Sequence, residues 1–523
     1  MKATVRFLTL LLVAVMLVSC FAACGKDKDT GNTTPPAGDG TDPEDLGYEL
    51  PEKVNMNGYA YKAYVRSNAQ TGGDTMQDGN PSFYCEDFWI DTSDNAPVPE
   101  DALSYNLWLR NKEIESDYNV KILQVPQSIN MVQELTNFYT NTETYDLTII
   151  LAVSAAQAAT KNLLTELKSL PQLDLSHEAY DQNSIKELSM GGKLYYLSGD
   201  MNISTLDSVA PTVVNLDRYK SYADGFVEKF NDPAYESIYN LVTDGKWTMS
   251  KMLELATLAS SDVDKTDGAL GKNDDDYIGY FQYDQSFIYY FYGAGGRLTE
   301  MTEEGSPEFV IQSSHNGELY DFIYDNFHPS VRNMNFPHGY GGDRKNLFTL
   351  GGKTLFTDMT LWDVRKSLYL EAGFEYGLLP NPVYEAGDDY NAVVYFYNTV
   401  HLWAIPSLCG DIDKAQIMMN VMAAYSNVKK VGSTMDGYYT RTLYFSVAPD
   451  ENARKVMDII KDSTVYDIAL LYDWGSWRTH FSEMYYKNLS KEYGSLVQMM
   501  PQSAIPQLQE TIELFKNPGA ILE

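Results

Sequence analysis

Alternating strand and helix patterns after residue 48 constrain the fold of this chain more than any other feature. Tyr59–Val65 alternates polar and apolar residues as a strand does, and Ala102–Asp117 has apolar residues at helical spacing. Two buried-strand patterns follow at Tyr118–Val125 and Tyr145–Val153, and the second leads into a helical stretch over Ala155–Leu167. Strands separated by helices predict an α/β fold built on parallel sheets.

The second half of the chain continues this alternation. Thr248 can cap a helix over Met249–Ala259, and helical spacing also marks Lys414–Tyr425 and Asn452–Lys461. About 475 residues follow residue 48, which is more than one hydrophobic core usually covers. Because no internal repeat and no second linker interrupts them, the sequence predicts two or more lobes joined by short crossings inside one folded body.

The first 24 residues are typical of a secretion signal that ends at a cysteine. Two basic residues precede the apolar run Phe7–Val18, which is too short to span a bilayer. The small residues before Cys24 resemble the lipobox of bacterial lipoproteins, in which the cysteine is acylated and becomes the first mature residue. We expect Cys24 to be the lipidated residue, because this choice leaves the longer apolar run. Lipidation at Cys20 and cleavage after Ala23 without lipidation are the alternatives.

Residues 25–47 consist almost entirely of Gly, Thr, Pro, Asp and Lys, so they cannot bury enough apolar surface to fold. The sequence therefore predicts a lipoprotein signal peptide over residues 1–23 and a lipidated cysteine with a disordered tether over residues 24–48. No later segment has membrane-spanning length, so we expect the lipid to be the only membrane anchor. This places the folded body on the extracellular face of a bacterial cell membrane.

The charge and the cysteines limit the partners of the folded body. The formal net charge is −33, and loss of Lys2 and Arg6 with residues 1–23 takes it to −35. Such a surface repels nucleic acid and anionic lipid. Apart from the signal cysteines only Cys85 and Cys409 occur, too few for a disulfide framework. One bridge between them is possible, but we expect two unpaired buried thiols.

The sequence contains no recognisable catalytic or metal-binding motif. It lacks a Gly-x-Ser-x-Gly elbow, a His-Glu-x-x-His pair, a phosphate-binding loop and a Cys-x-x-Cys pair, and its six histidines are scattered. Asp262–Asp276 is similar to a calcium loop, but Thr266 occupies a ligand position and no glutamate follows at the twelfth. We therefore predict no cofactor, no metal site and no enzymatic activity; Asp262–Asp276 is expected to be a solvated loop, with a calcium site as the alternative.

Aromatic residues are abundant, with 40 Tyr, 21 Phe and 7 Trp. Rings with a polar tip suit sugars, because a ring face packs on the apolar face of a pyranose while hydroxyl groups hydrogen-bond at its edge; they suit other amphipathic ligands as well. Five segments occur in order along the chain: Ala102–Ile122, Tyr145–Ile150, Asp244–Thr248, Gly352–Trp362 and Tyr376–Pro382. Together they resemble segments of extracellular solute-binding proteins of ABC sugar importers, the maltose-binding type included.

This resemblance implies a two-lobe periplasmic-binding-protein-like α/β fold, with a ligand cleft between the lobes and two or three hinge crossings. We expect lobe 1 to comprise residues 49–205 and 385–430, and lobe 2 to comprise residues 206–384 and 431–523. Gly352–Trp362 matches a glycine-led strand that ends in a sugar-stacking tryptophan, so Trp362 is the first candidate for ligand binding. Its alternative is a tryptophan of the core.

The resemblance also implies polar ligand contacts. Tyr283 and Gln285 lie where relatives place such contacts, although a tyrosine stands here where a carboxylate is common. Further candidates follow strands or lie in the late segment that lines the second lobe in relatives. They are Asn68, Asp200, Asp358, Tyr439 and Trp474, with Trp477 as the alternative to Trp474. A loop cap is the alternative for Asp200, and core packing is the preferred interpretation of Tyr439 and the late tryptophans.

The resemblance implies that the protein is a monomer that captures a carbohydrate by closing its lobes on it. We expect this carbohydrate to be an oligosaccharide. A ligand that contacts both lobes only when they close shifts the hinge equilibrium towards closure. The permease of an ABC importer is the implied partner. Two alternatives stay open: the same fold binds peptides or other solutes in some proteins, and an exported glycoside hydrolase would share the acidic, aromatic composition.

Overall fold

The computed structural model describes residues 49–65, 88–126, 131–141, 143–263, 270, 275–283, 285–327, 338–339, 341–368, 371–395, 400–444, 451–478 and 493–516. Its strands are β1 (Tyr59–Val65), β2 (Val120–Pro126), β3 (Leu147–Leu151), β4 (Thr212–Asn215), β5 (Ile278–Tyr283), β6 (Thr299–Met301), β7 (Pro307–Phe309), β8 (His338–Gly339), β9 (Thr354–Asp358), β10 (Tyr376–Leu379), β11 (Ala392–Val393), β12 (His401–Ala404) and β13 (Thr464–Val465).

The helices begin and end as follows: α1 (Ala102–Tyr118), α2 (Met131–Asn141), α3 (Ala152–Thr160), α4 (Gln182–Glu187), α5 (Ile203–Asp207), α6 (Leu216–Phe230), α7 (Ile238–Thr243), α8 (Met249–Leu258), α9 (Ser286–Gly293), α10 (Ser314–Phe327), α11 (Gly341–Arg344), α12 (Leu361–Asp363), α13 (Ile412–Ser426), α14 (Glu451–Asp462), α15 (Ile468–Tyr472) and α16 (Tyr493–Lys516). Wider π-helical turns cover 345–350, 364–368 and 436–444. None of the helices in these ranges is both long and apolar enough to cross a membrane.

The first sheet has the strand order β12–β3–β1–β2. Strand β1 pairs in parallel with β2 and β3, and β12 pairs antiparallel with β3. The buried strand β3 contributes Leu147, Ile149 and Ile150 to the core, while α1 connects β1 to β2 over the sheet. Three parallel strands with one antiparallel edge strand explain why the strand-and-helix alternation was visible in the sequence.

The second sheet has the order β10–β4–β9–β5–β8. Strands β5, β8 and β9 are parallel, whereas β4 runs antiparallel to both β9 and β10. The carboxyl ends of β5, β9 and β10 therefore meet the start of β4 at one edge. The parallel-type α/β arrangement expected from the sequence is present, with one reversed strand in each large sheet. Strands β4 and β12 follow crossings between the sheets and enter their sheet from the opposite end.

Within the described residues, three crossings between the two sheets lead up to α14, and the later helix α15 packs back on α3. The first crossing runs through α5 into β4, and the second leaves β10 and reaches β12. The third leads from α13, which packs on α1, to α14, which packs on α7 and β10. Two sheets with their own helices and several crossings form the two-lobe fold that the sequence predicted. The residue boundaries of the two lobes stay a prediction.

Most predicted helices and strands are present within a few residues of the expected bounds. Thr248 caps α8, and its hydroxyl oxygen accepts the N–H of Lys251 at 3.2 Å. The helix predicted over Ala155–Leu167 is different: α3 spans Ala152–Thr160. It ends there because Asn162 adopts a left-handed conformation with φ of 55°, which a continuing helix cannot contain.

Candidate functional site

The carboxyl edge of the second sheet gathers four of the predicted site residues. Strand β5 ends at Tyr283, which is followed by Gln285 and the start of α9, and β9 ends at Asp358. Trp362 lies four residues further on, in the short helix α12 and not at the end of the strand itself. The Thr360 side chain caps α12 by accepting the N–H of Asp363. Loops at strand carboxyl ends are where α/β proteins bind ligands.

Trp362 presents a large aromatic surface at this edge, because 49% of the residue is exposed to solvent. This excludes the alternative that Trp362 is a core residue. Tyr283 and Gln285 are each half-buried. Gln285 precedes α9 but its side chain makes no capping hydrogen bond, so the amide group is not committed to the helix end. The edge thus offers an indole face, a phenol and an amide.

Arg344 connects these residues, and sequence reasoning missed it. Its guanidinium group lies over the Tyr283 ring, 4.6 Å from the ring centre. The same group donates a 2.8 Å hydrogen bond to the carbonyl oxygen of Asp358 and pairs with the carboxylate of Asp363, beside Trp362. Arg344 therefore holds the ends of β5 and β9 and the helix α12 in one arrangement. Gly341-Gly-Asp-Arg344 gave no recognisable signal because β8 and α11 are very short.

Asp358 supports the edge from beneath. It is completely buried, accepts a 2.8 Å hydrogen bond from the Tyr280 hydroxyl and also accepts one from the Ser286 hydroxyl. Burial raises the pKa of Asp358, against the hydrogen bonds that stabilise its charge. A side chain without solvent access cannot touch a ligand in this arrangement. Asp358 instead fixes the start of α9, and with it Gln285.

Asp200 lies elsewhere, in a cavity of about 260 Å³ beside the first crossing. Its carboxylate accepts the N–H of Val428 at 3.3 Å and lies 3.9 Å from the Lys461 ammonium group. Burial raises the pKa of Asp200 to about 6, although Lys461 opposes the shift. Its side chain is 12% exposed, and the cavity is also lined by Asp181, so this is a second polar region separate from the Trp362 edge.

Tyr439 and Trp474 are core residues in this structure, 3% exposed each, and Trp477 is 2% exposed. The Tyr439 hydroxyl group donates to the carbonyl oxygen of Met457, and the Trp474 indole N–H donates to the Thr511 hydroxyl at 2.9 Å. The Tyr439 hydroxyl group and the Trp474 indole N–H therefore already have hydrogen-bond partners inside the protein. Core packing, the preferred interpretation of these rings, therefore agrees with their position.

A second cavity of about 330 Å³ lies between α3 and the segment that follows α15. Helix α3 starts directly after the carboxyl end of β3 and contributes Gln157 and Thr160 to this cavity. Tyr472, Asp473 and Arg478 line the other side. The Arg478 backbone N–H donates a 2.8 Å hydrogen bond to Asp473. Sequence reasoning singled out the neighbouring tryptophans and missed these polar residues.

Several predicted residues lie outside the described residues: Asn68, Cys20, Cys24 and Cys85. Cys409 is a free thiol, half-buried, and burial raises its pKa to about 12. Most of Asp262–Asp276, the segment that is similar to a calcium loop, also lies outside the described ranges. Within those ranges no group of three or more His, Cys, Asp or Glu side chains could hold a metal ion.

The architecture defines a fold class: an α/β protein with two lobes of the periplasmic-binding type. Among solved structures, M. tuberculosis UspC is similar with a TM-score of 0.51, at 14% identity over 84% of this chain and 98% of UspC. This likeness establishes a shared fold. No protein-family model and no curated protein matches the sequence.

Two further structures are similar at lower scores. A cyclo/maltodextrin-binding protein complexed with maltotetraose gives a TM-score of 0.49 at 14% identity, over 89% of this chain and 98% of that one. M. tuberculosis UgpB in complex with glycerophosphocholine gives 0.49 at 12% identity, over 78% of this chain and 95% of that one. Neither adds to the fold assignment beyond UspC.

Proposed function

We propose that this chain is an extracellular solute-binding protein that captures a carbohydrate, an oligosaccharide by expectation, and delivers it to the permease of an ABC importer. The observation that carries the proposal is the exposed ring of Trp362 at the carboxyl edge of a buried sheet. Single exposed apolar residues are common on protein surfaces, so what matters for Trp362 is its place at the carboxyl ends of the strands, where α/β proteins bind ligands. A flat apolar ring beside polar side chains suits a pyranose.

The neighbours of Trp362 support binding and not catalysis. Arg344 is held by the Asp358 carbonyl oxygen and by Asp363, so it acts as a fixed scaffold for Tyr283. The two nearest carboxyl groups in sequence are both engaged: Asp363 pairs with Arg344, and Asp358 is fully buried and bonded to Tyr280 and Ser286. These groups are arranged to keep aromatic and amide groups in place, which is what a binding site requires.

The decisive experiment is a thermal-shift screen of the chain from residue 25, without its lipid cysteine, against oligosaccharides, monosaccharides and short peptides. A ligand that binds only the folded state raises the melting temperature by mass action. We expect a shift with one class of oligosaccharide, with the ligand recovered unchanged. If only peptides raised the melting temperature, the ligand would be a peptide and not a carbohydrate. If hydrolysed saccharide were recovered, the protein would be an enzyme and not a binding protein.

Membrane attachment through Cys24 is a separate part of the proposal. Its support is the short apolar run, the small residues before the cysteine and the polar tether behind it. Mass spectrometry of the mature N-terminal peptide tests it: a diacylglyceryl group on Cys24 is the expected result. Acylation of Cys20 would move the cleavage site, and an unmodified N-terminus would leave the protein without a lipid anchor.

A further inference from the structure

Asp207 occupies the first crossing between the lobes. Asp207 is the last residue of α5, and only 8% of it is exposed to solvent. The start of α5 is attached to the first sheet, because the Asn202 side chain donates a 2.7 Å hydrogen bond to the carbonyl oxygen of His401 in β12. The chain beyond Asp207 enters the second sheet at β4. A carboxylate thus lies buried at a point that must bend when the lobes rotate.

Arg365 reaches this carboxylate from the second lobe. Its guanidinium group makes a two-pronged pair with Asp207, with one N–H···O distance of 2.9 Å. Arg365 lies three residues after Trp362, in the helical turn that continues α12. The residue is 8% exposed. Bidentate pairing fixes both distance and orientation, so the pair orients the helical segment that carries Trp362.

Tyr438 joins the same carboxylate from the third crossing. Its hydroxyl group donates a 2.9 Å hydrogen bond to Asp207, and the Arg365 guanidinium group lies 5.8 Å from the centre of its ring. The segment around Tyr438 is docked on α1 of the first lobe: the Asn106 amide donates to the carbonyl oxygen of Ser433 at 2.9 Å. A Cβ atom added to Gly437 would lie only 2.8 Å from the carbonyl oxygen of Ala102, so only glycine allows the two backbones to pack this closely.

We propose that Asp207, Arg365 and Tyr438 form a hinge clamp that positions the Trp362 helix relative to the first and third crossings. Lobe rotation changes the relative placement of the crossings and the second lobe, and a buried carboxylate cannot lose its partners without a penalty. The clamp therefore couples the hinge to the position of the Trp362 ring. All three are positioning residues, since none of them is exposed at the Trp362 edge. The coupling to ligand rests on the proposed function; the clamp itself does not.

The test uses the ligand-free chain from residue 25, with Cys85 and Cys409 replaced by serine. Spin labels on cysteines at Lys161, directly after α3, and at Glu228, on α6, report the distance between the lobes by electron paramagnetic resonance; both sites are exposed. Acrylamide quenching, compared with and without Trp362→Phe, reports the exposure of the Trp362 ring. Tyr438→Phe removes one hydrogen bond and keeps the ring, and Arg365→Lys keeps the charge but loses the bidentate geometry.

The matched control is Tyr425→Phe. Tyr425 is equally buried and its hydroxyl donates a 2.6 Å hydrogen bond to Asp117, but both residues lie within the first lobe, on α13 and α1. We expect Tyr438→Phe to shift or broaden the lobe distance and to change the quenching of Trp362, with the control like wild type. Loss of thermal stability with both readouts unchanged would reduce the cluster to a structural role and overturn the clamp.

Ligand binding adds a third readout. For any saccharide that stabilises the wild-type protein, Tyr438→Phe is expected to change the dissociation constant by roughly three- to tenfold, because the population of the binding-competent arrangement changes. An unchanged constant, with an unchanged lobe distance, counts against the clamp. If no saccharide binds the wild-type protein, the proposed function fails, while the distance and quenching measurements still decide the clamp. Should Arg365→Lys not fold, Tyr438→Phe alone decides.

Discussion

Trp362 and Trp474 lie in two aromatic regions that meet solvent in opposite ways. Trp474 is stacked on Tyr472, with ring centres 4.9 Å apart, and packs edge-on against Phe309. Its indole N–H is bonded to Thr511, so neither its faces nor its polar atom is free for a ligand. Trp362 is half exposed, on a helix whose own anchors are Arg344 and Arg365. The same residue type therefore serves packing in one region and presentation in the other.

The largest effect that separates the two regions is on stability. Trp474→Ala removes a buried ring and an internal hydrogen bond, so we expect the free energy of unfolding to fall by about 3–5 kcal/mol. Urea denaturation followed by circular dichroism measures it. Trp474→Phe is the matched variant: it keeps most of the packing and leaves the Thr511 hydroxyl without this donor, so its loss should be clearly smaller. A Trp474→Ala variant as stable as wild type would contradict the core assignment.

The second effect concerns the polar support beneath the exposed ring. Asp358→Ala leaves the hydroxyl groups of Tyr280 and Ser286 without their acceptor in a buried place, which costs about 2–4 kcal/mol of stability. Asp358→Asn keeps an acceptor oxygen. Because burial raises the pKa of Asp358, a neutral amide is a reasonable substitute and should be much less destabilising. Equal losses for both variants in thermal denaturation would show that charge, and not hydrogen bonding, holds this edge.

The third effect is on ligand binding and not on stability, the opposite of what is expected for Trp474. Trp362→Ala is expected to change stability by less than about 0.5 kcal/mol, because the ring is exposed. Binding of the saccharide found by thermal shift should weaken about tenfold or more, or roughly 1.4 kcal/mol. Isothermal calorimetry measures the affinity, and Trp362→Tyr, which keeps a flat ring, should recover part of it. Unchanged affinity in Trp362→Ala would remove this edge from the ligand site.

The sequence predicted the elements better than the contacts between them. Strand and helix periodicity located β1, α1 and α8 within a residue or two, since burial on one face leaves a local pattern. The resemblance to solute-binding proteins predicted a strand within Gly352–Trp362, although the strand ends at Asp358 and Trp362 lies in the helix α12. It could not indicate that Arg344 and Asp358 meet, because that contact depends on how separate strands align in the second sheet.

Burial of polar residues was equally invisible in the sequence. Arginine side chains mostly lie at the surface, yet Arg110 on α1 is fully buried and donates to the carbonyl oxygen of Phe88 and the hydroxyl of Ser426. Asp358 was predicted to contact ligand as a further candidate in the segment whose resemblance to solute-binding proteins singled out Trp362. The Asp358 side chain, at the end of β9, is buried, whereas the Trp362 side chain, in α12, is exposed; the strand pattern alone does not predict this difference.

The smallest effect concerns pH and the chain leading to Trp474. Glu187 accepts the N–H of Tyr466 at 2.7 Å, just before α15, and burial raises the pKa of Glu187 from 4.5 to about 7. The folded state therefore binds this proton more tightly than the unfolded state. The resulting stabilisation is complete below pH 4.5 and is lost as the pH rises from 4.5 towards 7.

Glu187→Gln keeps an acceptor for the Tyr466 N–H but removes the ionisation. We expect the variant to gain about 1 kcal/mol over wild type at pH 7.5 and to match it near pH 4.5, after allowance for the partial exposure of this side chain. Melting temperatures across that range measure the difference. A variant that stays parallel to wild type at every pH would show that Glu187 does not titrate in this window, and that the packing around Tyr466 and α15 does not depend on its protonation.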